Sequence, residues 1–289
     1  MAVILVTGAN GQLGSELKAL SKKFYGYQFI FTDIDTLDIT DKEDVRAFIK
    51  NSDPDWIINC AAYNLVDRAE DEKEKAMLIN KTAVSNIAES ITGSDRRFIH
   101  ISTDYVFDGR SNVPYNESSP AVPLGAYGES KLAGEKAALL HYGSMVIRTS
   151  WLYSSFGTNF VKTIIAGAEK NDFLKVVFDQ VGTPTYAGDL ANAIMTIISG
   201  VVRNHVTFNP GIFHYSNEGV CSRYDYAFEI VRKAGIECRV VPVLSKDFAS
   251  KAVRPAYSVL DKSRIKECYN VEVPYWRESL AKCIRLILT

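Results

Sequence analysis

The 289-residue chain lacks an excess of charge of either sign: 33 Lys and Arg stand against 34 Asp and Glu, a formal net charge of −1. That balance argues against a nucleic-acid binder, which usually carries a clear positive surplus, although a local patch stays compatible with it. Cysteines are few: five, widely spaced and without a Cys-x-x-Cys pair. This excludes a disulfide-stapled miniature and fits reduced thiols in a cytoplasmic protein. The four histidines, His100, His141, His205 and His214, show no metal-ligand spacing, so no metal is predicted. No apolar run approaches the ~18 residues of a membrane helix, and the most apolar tract, residues 193–202, is broken by Thr196, Ser199 and Gly200. The opening Met1-Ala2-Val3-Ile4-Leu5-Val6 turns polar at Thr7 without a basic flank, too short for a signal peptide. There is no internal repeat, low-complexity tract or flexible linker. What remains is an ordinary globular composition, 47% hydrophobic and 23% charged, at a length suited to two domains or one large one.

The first half alternates two hydrophobic periods. Strands are predicted at residues 3–6, 28–32, 56–60, 97–102 and 145–149. Helices are predicted at 12–23, 42–51, 74–92 and 126–141, with Thr40 or Asp41 available to cap the second. Strands separated by helices imply right-handed βαβ units and a doubly wound parallel sheet of the Rossmann type. Beyond Trp151 the rhythm loosens. Helices are expected at 160–169, 189–198, 224–234 (ended by Gly235) and 275–288, and strands at 174–178 and 239–243. This divides the chain into a dinucleotide-binding domain, residues 1–150, and a smaller α/β substrate-binding region, residues 151–289. Part of 173–213 is expected to return to the first domain, with a cleft between the two.

The turn after the first strand reads Gly8-Ala9-Asn10-Gly11-Gln12-Leu13-Gly14. In a Gly-x-x-Gly-x-x-Gly loop the first glycine makes the tight turn, the second lets the backbone approach a pyrophosphate, and the third lets helix and strand pack closely. The helix N-terminus then offers free N–H groups and a positive dipole to the phosphates. Asn10, Gln12 and Leu13 belong to the same candidate contact. Asp33 ends the second strand, 19 residues after Gly14. An acid there accepts hydrogen bonds from the adenosine ribose and repels a 2′-phosphate, which favours NADH; a turn or capping acid is the alternative. Asp38 and Ile39 are candidates to meet the adenine. Ala61, Ala62 and Tyr63, after the third strand, are candidates to approach the cofactor.

Tyr127 and Lys131 are four residues apart in a helical pattern, which puts both on one helix face. A phenol is a poor acid at neutral pH, but a neighbouring ammonium stabilises its anion and lowers its pKa. The tyrosine then exchanges a proton with a carbonyl or alcohol oxygen. Thr103 falls at the end of the fourth strand, where its hydroxyl can polarise a carbonyl. Tyr-x-x-x-Lys alone is a common accident; the order of glycine loop, Thr103, Tyr127 and Lys131 is not.

These features resemble an extended short-chain dehydrogenase/reductase, and more closely the dTDP-4-dehydrorhamnose reductase family. The resemblance rests on Ser102-Thr103-Asp104-Tyr105-Val106-Phe107-Asp108-Gly109, Tyr127-Gly128-Glu129-Ser130-Lys131-Leu132-Ala133-Gly134-Glu135 and Arg148-Thr149-Ser150-Trp151-Leu152-Tyr153. Leu37-Asp38-Ile39-Thr40, Val66-Asp67-Arg68-Ala69-Glu70, Gln180-Val181-Gly182-Thr183-Pro184-Thr185 and Arg254-Pro255 extend it over nearly the whole chain. It implies NAD(P)H-dependent reduction of the 4-keto group of dTDP-4-dehydro-6-deoxy-L-mannose to give dTDP-L-rhamnose. Thr103, Tyr127 and Lys131 match the family's catalytic triad, Lys131 also binding the nicotinamide ribose. Val66, Asp104, Tyr105 and Trp151 match positions around the sugar, with aromatic packing as the alternative for Tyr105 and Trp151. Arg254 is a candidate partner for the substrate pyrophosphate, with a surface ion pair as its alternative. The family commonly uses NADPH, whereas Asp33 favours acceptance of NADH. Some members form a metal-bridged dimer through glutamates; Glu16 has no clear glutamate companion near Gly188-Asp189. A homodimer is left open.

Two rivals follow from the same superfamily. Dehydratases typically carry Thr-Asp-Glu, but Thr103-Asp104 is followed here by Tyr105, so the general-base glutamate is missing. Another sugar-nucleotide reductase or epimerase is not separated by sequence. A catalytically silent, NAD(P)-binding regulatory subunit is the alternative of a different class, and intact Thr103, Tyr127 and Lys131 argue against it.

Overall fold

β-Branched and aliphatic runs build the central sheet. In the computed structural model, which describes residues 1–248 and 250–289, the strands β1 (Ala2–Thr7), β2 (Tyr27–Thr32), β3 (Trp56–Asn59), β4 (Arg97–Thr103) and β5 (Ser144–Thr149) are joined by Gly211–His214. They form a six-stranded sheet whose order, from one edge, is Gly211–His214, β5, β4, β3, β1, β2. Every pairing in it is parallel. Both faces are covered, as a parallel sheet requires. Ile4, Val6, Ile58, Ile99, Met145 and Ile147 point to one side, against Leu13 and Leu17 of α1 (Gln12–Ser21) and Leu190, Ile194 and Ile198 of the helix Ala187–Val202. Their sequence neighbours Leu5, Ile57, Phe98 and Val146 point to the other, against Val45 and Ile49 of α2 (Lys42–Ser52) and Val84 and Ile87. The period-two alternation thus divides one apolar run between two cores. Asp41 caps α2, accepting from the N–H groups of Glu43 and Asp44.

Strand order reverses where β1 sits between β2 and β3, and a crevice opens there at the strands' carboxyl ends. The register places Thr7 beside Asn59 and Thr103 beside Thr149 at that rim. The remaining chain builds a second core from Tyr153, Val161, Ile165, Tyr226, Ile230, Trp276 and Leu280. Its helices are Phe160–Ala168, Arg223–Ala234 and Trp276–Leu288, and Phe173–Val177 pairs in parallel with Arg239–Val243. Gly235 ends the middle helix in the left-handed region, at φ 69°.

One expectation needs correction. Residues 74–92 do not form a single α-helix: Lys73–Met77 and Ala83–Ser90 are α-helical, but Leu78–Thr82 is a π-turn. The wider turn lets Asn80 reach the site. Its side chain bonds both the N–H and the carbonyl of Tyr63 and donates to Ser130 Oγ. Among the elements that escaped the sequence reading are the strand Gly211–His214 and the helix Ser263–Tyr269. The strand is four residues long and follows Pro210, so no period can be read from it.

Candidate active site

The glycine loop is fixed by what lies against it. Gly8 has φ 66°, and a Cβ there would stand 2.5 Å from the backbone nitrogen of Ala61. A Cβ on Gly14 would stand 2.4 Å from the Gly8 carbonyl oxygen. At Gly11 a Cβ would meet only that same oxygen, at 3.2 Å. Gly11 precedes α1, which begins without a side-chain cap, so its first N–H groups stay available to an anion. The Asp33 carboxylate accepts from the N–H of Asn10 at 2.8 Å and from that of Ile34 at 2.9 Å, tying the end of β2 to the loop.

A cleft of about 360 Å³ opens from this loop. Of the residues singled out in the sequence, Gly11, Gln12, Leu13, Ala62, Val66, Thr103, Asp104, Tyr105, Tyr127, Lys131 and Trp151 line it together. The structure does not bring the others to its wall. Asp38 holds the N–H and hydroxyl of Thr40. The Ile39 side chain is buried in the core between α2 and the sheet. Tyr63 is buried with its ring among Ala69, Ala76 and Ala126. Asn64, Asn159, Phe160 and Arg223 line the cleft as well, and the sequence analysis missed them.

Tyr127 and Lys131 project from the helix Ala126–Ala138, whose first N–H group donates to Glu70 Oε1 at 2.9 Å. Glu70 therefore does at this helix end what a cap residue does elsewhere. Two glycines seat the helix: a Cβ on Gly128 would be 2.3 Å from the Tyr105 carbonyl oxygen, and one on Gly134 would be 2.0 Å from that of Asn80. Lys131 Nζ donates to the Ile101 carbonyl at 2.6 Å. Burial lowers its pKa to about 8, against the pull of Glu135 one turn further on. Glu135 is buried too. It accepts Ser102 Oγ at 2.5 Å and both Nε and Nη2 of Arg148, at 2.8 and 2.6 Å. The tyrosine departs from expectation. The Tyr127 hydroxyl donates to Asn64 Oδ1 at 3.2 Å. Burial pushes its pKa up, and the group that opposes this is the Thr103 hydroxyl rather than the Lys131 ammonium. The lysine is itself desolvated and committed to a carbonyl.

Thr103 ends β4. Its hydroxyl donates to Asp104 Oδ1 at 3.0 Å and accepts from the N–H of Tyr105 at 3.2 Å. Burial lifts the Asp104 carboxyl to about 6, against hydrogen bonds from Ser258 and Thr103. Its Oδ2 is buried without a hydrogen-bond partner, which is costly for a carboxyl oxygen. Trp151 is held in the left-handed region at φ 47°, an unusual place for a bulky residue. Gly182 leaves room for its ring, since a Cβ there would stand 2.8 Å from the indole.

A second cavity, about 830 Å³, adjoins the first and shares Val66, Tyr105, Phe160 and Arg223 with it. Its wall mixes Ile164, Val176, Val177 and Val253 with Lys175, Lys246 and Arg254. Arg254 does not stand free in it. Its guanidinium grips Asp67, Nη2 to Oδ2 at 2.7 Å, and holds that carboxyl below its usual range. The ion pair that was one reading of Arg254 is present here.

A family model described as the RmlD substrate binding domain matches residues 1–288. The chain is 40% identical to the spore coat polysaccharide biosynthesis protein SpsK of Bacillus subtilis (strain 168), over 99% of this chain and 98% of that protein. It is 38% identical to a dTDP-4-dehydrorhamnose reductase of Aggregatibacter actinomycetemcomitans, over 97% of each. Among solved structures, the dTDP-4-dehydrorhamnose reductase of Bacillus anthracis, in complex with NADP, superposes with a TM-score of 0.92 at 36% identity, over 99% of both chains.

Proposed function

This chain belongs to the dTDP-4-dehydrorhamnose reductase family, whose model spans residues 1–288, and from that premise we propose that it reduces dTDP-4-dehydro-6-deoxy-L-mannose to dTDP-L-rhamnose with NADH or NADPH. The observation that carries the reading is the convergence of Thr103, Tyr127 and Lys131 in one cleft that opens from the glycine loop. A dinucleotide fits that loop. Gly8 and Gly14 let the turn close against Ala61 and on itself, Gly11 stands at the cleft wall, and the uncapped start of α1 supplies N–H donors for a diphosphate. When bound, the nicotinamide supplies the hydride that reaches C4.

The chain's own residues handle the oxygen. Thr103 turns its hydroxyl from Asp104 towards the C4 carbonyl and donates a hydrogen bond that draws electron density onto the oxygen. Tyr127 gives its proton to that oxygen as the C–H bond forms, so the ketone becomes a secondary alcohol. Lys131, kept cationic below about pH 8 and held on the Ile101 carbonyl in the free enzyme, takes the family's role only once the dinucleotide is bound: it binds the nicotinamide ribose and steadies the phenolate left behind. Buried Tyr127 resists ionisation, which keeps it protonated until the developing alkoxide takes the proton. The same reading assigns the nucleotide to residues 1–150 with the strand Gly211–His214, and the sugar nucleotide to the rest. It includes a cytoplasmic location and leaves a homodimer as the assembly to test.

Cofactor choice is part of the proposal. Asp33 beside the loop would repel a 2′-phosphate, so NADH is accepted. Wild type should oxidise NADH or NADPH when given dTDP-4-dehydro-6-deoxy-L-mannose; absence of turnover with both overturns the reading. Asp33→Ala should lower the NADH-to-NADPH ratio of kcat/KM by about tenfold, and an unchanged ratio would remove Asp33 from cofactor choice.

A further inference from the structure

Arg223 stands at the neck between the two cavities and lines both. It opens the helix Arg223–Ala234 directly after the Ser222–Asp225 capping box, and its N–H bonds the Gln180 carbonyl. The side chain is thereby anchored at its base and aimed into the cleft. Its guanidinium carbon lies 3.7 Å from the centroid of the Trp151 ring, with Phe160 at 5.2 Å. Stacking on an indole fixes the plane and leaves the edge donors free.

Among the described residues the Arg223 guanidinium makes no ion pair or side-chain hydrogen bond, in contrast to Arg254, which is held by Asp67. Lys175 and Lys246 also reach the second cavity, but both are exposed. Of the cations that reach the second cavity, Arg223 is thus the one without a direct salt bridge that is also withdrawn from solvent; the buried Asp104 carboxyl is near enough to feel its charge but makes no ion pair with it. A guanidinium without a hydrogen-bonded partner in such a place is costly unless a ligand of opposite sign completes it.

We propose that Arg223 binds the diphosphate of the sugar nucleotide and so sets its register, with the sugar at Thr103 and Tyr127 and the base in the larger apolar cavity. The inference rests on the function proposed above. The edge of a guanidinium matches two phosphate oxygens in a fork, and its place at the neck fits the one segment of a nucleotide sugar that is doubly charged. Its stacking partner, Trp151, holds a strained backbone, so the pair forms a preset clamp rather than a flexible arm.

The test is binding of dTDP, dTMP and thymidine by calorimetry to wild type, Arg223→Gln and Arg223→Lys, with steady-state kinetics on the sugar nucleotide. Arg223→Gln should weaken dTDP by about 10- to 100-fold and leave thymidine unchanged, with Arg223→Lys between them. KM should rise more than kcat falls, and the KM for the dinucleotide should stay put, which also reports an intact fold. Equal dTDP affinity in wild type and both variants overturns the inference, as does weakening of thymidine to the same degree. Should wild type bind dTDP through Arg223 yet fail to turn over the 4-keto sugar, the reductase reading falls and the diphosphate site stands.

Discussion

On the wall of the cleft formed by the central sheet, Thr103 ends a strand while Tyr127 and Lys131 ride one face of a single helix. On the opposite side, Val66, Phe160, Lys175, Arg223 and Arg254 come from five separated segments. The first wall is a close-packed backbone surface. Gly8, Gly14, Gly128 and Gly134 are each pressed against a neighbouring main chain. The second is lined by side chains around a cavity of about 830 Å³. Proton transfer needs fixed atoms, and regular elements supply them. Recognition of a long ligand needs reach, and loops and helix ends supply that.

The comparison is broken most severely at the proposed proton donor, Tyr127. Tyr127→Phe removes the acid without changing the ring that packs on Tyr105. It should lower kcat/KM by about 10²- to 10⁴-fold with dinucleotide affinity retained. Fluorescence titration alongside kinetics checks both, and a loss below about tenfold would move the acid elsewhere. A pair of alanines comes next. Gly134→Ala forces a methyl into the Asn80 carbonyl and should destabilise by about 2–4 kcal/mol in urea unfolding. Gly167→Ala, on the other side, meets only the flexible end of Leu174 and should change stability by less than about 1 kcal/mol. Equal effects would erase the contrast between the two walls. The smallest change is in pH dependence. In the proposed reaction Lys131 acts as a cation, so kcat/KM should fall as pH rises through about 8. Glu135→Gln removes the charge that raises the lysine's pKa, and the alkaline limb should move to lower pH; a shift upward would contradict the assignment.

Legibility followed the same divide. Gly8 and Gly14 are readable because the steric demand of a βα turn is local, and Tyr127 and Lys131 because helical spacing alone puts them on one face. Thr103 needed only the end of a strand. Arg223 escaped because nothing in Ser222-Arg223-Tyr224-Asp225 beyond a helix start announces a partner, and its place is set by Trp151 from a distant segment. The π-turn at Leu78–Thr82 left no periodic signal either. Arg254 shows the converse. Its chemistry was readable as a phosphate partner or an ion pair, but the identity of the acid, Asp67 from a distant segment, was not.

The central claim is that Thr103, Tyr127 and Lys131 serve reduction of a ketone at C4 of a dTDP-sugar. Its most direct test is turnover of dTDP-4-dehydro-6-deoxy-L-mannose with a dinucleotide carrying deuterium at C4 of the nicotinamide, on the face that is transferred, and NMR of the product. Deuterium bonded to C4 of the sugar, with rhamno configuration, is the predicted result. Cofactor oxidation without deuterium at that carbon, or label at another carbon of the sugar, would contradict it.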